Sequence, residues 1–121
     1  MLWVVIPALD EADNLAALIP RVVAEVSTYA PGGRVLVVDD GSTDRQTIEL
    51  LDAMPDEIRM IRQENRGLAG ARNRGFSEAR AKLILPLDCD DWLAPEFLAV
   101  AYKAVTRAPA PSFAFADLAL E

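Results

Sequence analysis

Apolar positions fall in two rhythms along this chain. Leu2-Trp3-Val4-Val5-Ile6 is a short unbroken run stopped by Pro7, as expected of a strand buried on both faces. Leu15, Leu18, Ile19, Val22, Val23 and Val26 then recur at helical spacing, which predicts a helix laid on a sheet. Pro20 lies inside that helix, where it removes a backbone hydrogen bond and is expected to bend or split it. Tyr29 to Gly33 is turn chemistry, and Arg34 to Asp39 is a second apolar strand. Ser42, Thr43 and Asp44 suit the N-cap of a helix running to about Ala53, with Asp44 assigned to capping. Ile58 to Arg62 is a third, weaker strand. Gln63 to Gly70 reads as a loop with two glycines, and Ala71 to Ala81 as a helix. Lys82 to Leu87 is a fourth strand, and Pro95 fits the first turn of a further helix carrying Phe97, Leu98, Ala101, Tyr102 and Val105 on one face. Ala108 to Pro111 is a break, and Ser112 to Ala116 is apolar enough for a fifth strand. Strands alternating with helices predict an α/β fold, a Rossmann-like parallel sheet with helices on both faces.

Composition narrows the chemistry. The 121 residues are 52% hydrophobic, enough for a core and for one domain at most. Twelve Lys and Arg against nineteen Asp and Glu leave a formal charge of −7, which argues against a nucleic-acid surface. It leaves room for one anionic small ligand, because a bound cation reverses the local sign. There is no histidine, which removes the commonest general base and the usual zinc ligands. The single Cys89 excludes an internal disulfide. Met1 to Leu9 lacks a basic start and is too short for a signal peptide or a membrane span, so a soluble cytoplasmic protein is the default expectation.

Two groups of carboxylates follow strand ends. Asp39 and Asp40 close the second strand and open into Gly41-Ser42-Thr43-Asp44. Asp88-Cys89-Asp90-Asp91 closes the fourth. In an open α/β sheet both groups would meet at the carboxyl edge, where such folds bind ligands. Hard cations such as Mg²⁺ or Mn²⁺ take carboxylate oxygens together with water and substrate phosphates. Cys89 suits a small filler better than a ligand to such a metal. The plain alternatives are that these Asp residues cap helices and solvate loops. Asn65 to Gly75 brings glycines and arginines to a helix start, an arrangement suited to anions, yet it is neither a P-loop nor a dinucleotide fingerprint. Pro7 to Glu11 follows the first strand and should reach the same edge; as a bland feature it is a loop and an acidic helix start.

Four segments in order resemble the family 2 glycosyltransferases of GT-A fold: Val5 to Glu11, Val37 to Asp44, Asn65-Arg66-Gly67 with Ala71 to Gly75, and Leu87 to Asp91. The resemblance implies transfer of a sugar from a nucleotide-diphosphate donor with Mg²⁺ or Mn²⁺. It implies that Pro7, Ala8 and Glu11 line the nucleoside pocket, that Asp40 contacts the base and that Asp39 supports that loop. Arg72 would lie near the base or phosphates, and Asp88 would touch the ribose or a metal-bound water. Asp90 would be the metal ligand, with Asp91 beside it. Leu9-Asp10 stands where the family often has Tyr-Asn, and Lys82 where a Gly is common. The resemblance also implies that the acceptor half and the catalytic base lie beyond residue 121, so residues 1–121 are expected to be the nucleotide-sugar-binding part of a truncated domain. The glycan or lipid-linked acceptor is left open, and apolar surface at the missing half could drive self-association. Three other readings compete: a phospho-receiver domain, because Arg34 to Asp40 looks like its first strand and acid pair; a nucleotidyltransferase of similar fold; and a non-catalytic scaffold.

Overall fold

The computed structural model describes residues 1–94, 96–107 and 109. Strands β1 (Leu2–Ala8), β2 (Arg34–Asp39), β3 (Ile58–Arg62) and β4 (Leu83–Pro86) alternate with helices α1 (Ala12–Tyr29), α2 (Arg45–Asp52), α3 (Gly67–Glu78) and α4 (Phe97–Arg107). The strands form one parallel sheet in the order β3-β2-β1-β4. The chain winds outward from β1 to β3, then returns across to place β4 on the other side of β1. That reversal creates a switch point between β1 and β4, where open α/β sheets leave a crevice at their carboxyl edge.

The unbroken apolar runs are explained by burial on both faces. Every residue of β1 is buried. Val4, Ile6, Val35 and Val37 turn to one face, against Leu15, Leu18, Val22 and Val26 of α1 and Leu51 of α2. Trp3, Val5, Leu36 and Val38 turn to the other, against Ala71 of α3. A fully buried aliphatic side chain contributes roughly 1.5–3 kcal/mol, so β1 and β2 anchor the molecule. β4 is half-exposed and pairs with β1 alone among the described residues. This lateral position tolerates Pro86, which has no N–H to give.

Two expectations are corrected. α1 runs as one helix through Pro20 and is not split. Pro20 is on the exposed side, while the buried stripe on either side of it rests on the same sheet face. α3 begins at Gly67 and ends at Glu78, not from Ala71 to Ala81. The two glycines read as loop signals, Gly67 and Gly70, lie in the first turn of the helix, and a third, Gly75, packs it on the sheet. A Cβ on Gly75 would stand 2.2 Å from Val5 Cγ1 and 3.3 Å from Val38 Cγ2, so this helix lies too near the sheet for a larger residue. Pro95, the break at 108–111 and the strand expected at Ser112 to Ala116 lie outside the described residues, Pro109 excepted.

Candidate functional site

The carboxyl edge of β1, β2 and β4 opens into a cleft of about 310 Å³, near the lower end of small-ligand sites. Pro7, Ala8, Leu9 and Glu11 line it from β1, and Asp40 from β2. Gly67, Leu68 and Ala71 line it from the start of α3, and Asp88, Cys89 and Asp90 from the loop after β4. The structure therefore brings both aspartate groups to one rim. Asp39, Arg72 and Asp91 stand just outside the lining.

The β2 group is buried and held by the protein's own donors. Asp39 Oδ1 accepts from the Ser42 N–H at 2.9 Å, and its other oxygen is 3.4 Å from Arg62 Nε. Arg62 also reaches Asp52 of α2. Asp40 Oδ1 accepts from Gln63 Nε2 at 2.9 Å and from the Arg66 N–H at 2.8 Å, which ties the β3–α3 loop across the end of β2. Gly41 turns between them at φ +87°, where a Cβ would sit 2.9 Å from the Asn65 nitrogen. Asp44 is the N-cap of α2, accepting from the Thr47 N–H at 3.1 Å and the Thr47 hydroxyl at 2.7 Å. The Thr47 hydroxyl, then its N–H, holds the Asp44 carboxyl below its ordinary 3.8.

The β4 group is more open. Asp88 is half-buried and receives both its contacts from one Arg72 nitrogen, 2.7 Å to each oxygen. The Asp88 N–H donates to Asp91 Oδ2 at 3.3 Å, and the Asp91 N–H returns to the Asp88 carbonyl at 3.0 Å, closing a tight turn. Oxygens of Asp88, Asp90 and Asp91 lie within 4.8 Å of one another. Asp90 is exposed, and its carboxylate has no hydrogen bond or ion pair among the described residues. Three hard oxygen donors at this spacing fit a divalent cation of the Mg²⁺ or Mn²⁺ kind. Cys89 points inward, its thiol donating to the Pro7 carbonyl at 3.0 Å. Burial first, then the negative charges of Glu11, Asp90 and Asp88, push that thiol up to about 12. It is a protonated filler that fastens the acidic loop to β1, as its softness toward such metals leads one to expect.

Several contacts were not visible in the sequence. Gln63 and Arg66 hold Asp40 from 23 and 26 positions away. Asp10, with φ +52°, bonds to the β2–α2 loop 32 to 34 residues on. No local pattern carries such pairings. The Nε of Arg72 is buried without a partner among the described residues, which leaves one donor of this guanidinium unused.

Comparison with known proteins places this geometry. A family model described as glycosyl transferase family 2 matches residues 3–115. Over 98 residues the chain is 37% identical to the undecaprenyl-phosphate 4-deoxy-4-formamido-L-arabinose transferase of Yersinia pestis, covering 77% of this chain and 30% of that protein. It is 28% identical over 106 residues to the glycosyltransferase GlyA of Streptococcus pneumoniae, covering 86% and 15%. Among solved structures, the mannosyltransferase PcManGT from Pyrobaculum calidifontis, in complex with GDP-Man and Mn²⁺, superposes with a TM-score of 0.70 at 25% identity, over 86% of this chain and 32% of that one. S. aureus TarS residues 1–349 superpose with a TM-score of 0.71 at 23% identity, over 88% and 32%, which speaks for the shared fold. The chain spans under a third of the length of these curated relatives. It belongs to glycosyl transferase family 2 and has the parallel Rossmann-like sheet of GT-A enzymes. Family membership displaces the receiver and nucleotidyltransferase readings. No described helix is long and apolar enough to cross a membrane.

Proposed function

We propose that this chain is the donor-binding part of a metal-dependent glycosyltransferase, holding a nucleotide-diphosphate sugar for transfer to an acceptor bound elsewhere in the full protein. One observation carries the reading: Asp40 and the Asp88–Asp90 loop line the same cleft at the switch point of the sheet. The printed descriptions of relatives support it, since one solved neighbour was captured with GDP-Man and Mn²⁺ and another with UDP-GlcNAc.

In this reading Pro7, Ala8 and Glu11 form one wall for the nucleoside. Asp40 faces them and receives the base or the ribose. Its Oδ1 is occupied by Gln63 and Arg66, so its second oxygen is the one free for a ligand. Asp39 holds the Gly41-Ser42 turn in place and acts indirectly. Arg72 offsets the charge of Asp88, so Asp88 is suited to a ribose hydroxyl or a metal-bound water. Asp90 and Asp91 then supply the direct carboxylates for Mg²⁺ or Mn²⁺. When bound, such a cation neutralises charge that develops on the departing nucleoside diphosphate. Deprotonation of the acceptor hydroxyl needs a general base, and no described cleft residue is assigned that role.

Calorimetric titration of the chain with UDP and with GDP, with and without Mn²⁺, tests the proposal. Tight binding of one diphosphate only in the presence of Mn²⁺, lost in Asp90→Ala, is the expected result. Metal-independent binding, or an Asp90→Ala variant that behaves as the wild type, would overturn the metal role.

A further inference from the structure

Asp10 makes three bonds that none of the roles above uses. Its Oδ1 accepts from the Thr43 N–H at 2.9 Å and from the Asp44 N–H at 2.8 Å. Its own N–H donates to Ser42 Oγ at 3.0 Å. To make them its backbone is left-handed, with φ +52°, a region that Asn, Asp and Gly tolerate best. The partners are 32 to 34 residues away, so these bonds bridge the β1–α1 loop to the β2–α2 loop. Leu9 and Glu11, on either side of Asp10, form one wall of the cleft; Asp40, two residues before Ser42, forms the facing wall. Ser42 is in turn fixed by its N–H to Asp39 Oδ1 at 2.9 Å. A continuous chain of bonds, Asp39 to Ser42 to Asp10, therefore spans the gap between the two walls.

We propose that Asp10 is a positioning residue for the nucleoside: its clamp sets the distance between the Leu9–Glu11 wall and Asp40. The inference rests on the nucleotide reading above. A carboxylate oxygen shared by two backbone N–H groups is a strong, directional anchor. Its location next to the start of α2 adds the favourable interaction of a negative charge with a helix N-terminus. The Asp88–Asp90–Asp91 group is on the other side of β1 and shares none of these bonds. The clamp should therefore govern recognition of the nucleoside and leave the metal and diphosphate end untouched.

Three proteins decide it: wild type, Asp10→Asn and Asp10→Gly. Asn keeps an oxygen acceptor and tolerates the left-handed backbone; Gly keeps the backbone and removes the acceptor. Each is titrated with UDP, GDP and inorganic pyrophosphate in the presence of Mn²⁺, with a thermal melt to establish that it is folded. Asp10→Gly is expected to bind the preferred nucleoside diphosphate about tenfold more weakly, the scale of losing a charge-assisted hydrogen bond. Asp10→Asn, which keeps the acceptor and loses the charge, should fall between wild type and Asp10→Gly, and pyrophosphate should bind all three alike. If Asp10→Gly does not fold, Ser42→Ala takes its place, with about a threefold loss expected from one neutral bond. The clamp is overturned if the acceptor-free variant binds the nucleotide as wild type does, if it weakens pyrophosphate equally, or if Asp10→Asn is as weak as Asp10→Gly. A wild-type chain that binds neither UDP nor GDP overturns the nucleotide reading along with it.

Discussion

The two aspartate groups at the rim look alike in sequence and differ in what surrounds them. At the end of β2, Asp39 and Asp40 are 3% and 4% exposed, and each already accepts from backbone N–H groups. At the end of β4, Asp90 and Asp91 are exposed, and Asp90 is without a partner among the described residues. A buried carboxylate held by the protein's own donors gives shape to a site, with at most one oxygen left for a ligand. An exposed one with free oxygens can still take a ligand. The β2 group therefore builds the walls of the cleft, and the β4 group keeps its capacity for a cation.

That division can be broken by substitution. The largest effect is expected for Asp90→Ala, which should weaken Mn²⁺ binding by about a hundredfold or more while leaving the melting temperature nearly unchanged; loss of a merely supporting residue already costs 10–100-fold in metal sites. A large drop in melting temperature would show that Asp90 is structural after all. Asp40→Ala should do the reverse. It leaves Gln63 Nε2 and the Arg66 N–H without their acceptor, so stability should fall by about 1–3 kcal/mol in a denaturant titration, with Mn²⁺ affinity of the folded chain retained.

Asp44 gives a smaller, pH-dependent effect. Its carboxyl is held below 3.8 in the folded chain, so it contributes stability above that value and loses it as pH falls through the lower folded value. Asp44→Ala should lower the melting temperature modestly at neutral pH, and the gap to wild type should close in acid below 3.8. A gap that widens in acid would contradict the capping role. The smallest effect concerns Cys89. With its thiol pushed up to about 12 and buried, it should resist alkylation in the native chain at about pH 8 and react on unfolding. Rapid native labelling would mean that the loop between Asp88 and Asp90 opens readily.

The strands and the acidic strand ends were legible because they are local. Unbroken runs such as Leu2 to Ile6 have one physical use, burial on both faces of a parallel sheet. Asp44 was legible as a cap for the same reason, since its partner is three residues on. What escaped depends on distance or on glycine. Residues 67–70 carry turn signals, yet helix α3 includes them: Gly67 has the positive φ of a turn residue (+80°) and still opens the helix, while the glycine that needs closeness to the sheet is Gly75. The Asp40–Arg66 and Asp10–Asp44 bonds join segments 26 and 34 residues apart, and only the folded sheet brings them together. Splitting, one of the two outcomes expected at Pro20, failed for another reason. The lost hydrogen bond is a fixed local cost, and the buried stripe that outweighs it belongs to the tertiary structure.

The bare α-carbon of Gly75 seated against Val5 reaches further than its own neighbourhood. Arg72 is one turn earlier on the same helix and grips Asp88, so the depth at which α3 is seated fixes how well that negative charge is balanced. An added methyl group would act as a shim, tilting the rod and loosening the grip. One missing side chain beneath the sheet thus tunes the charge presented at its rim.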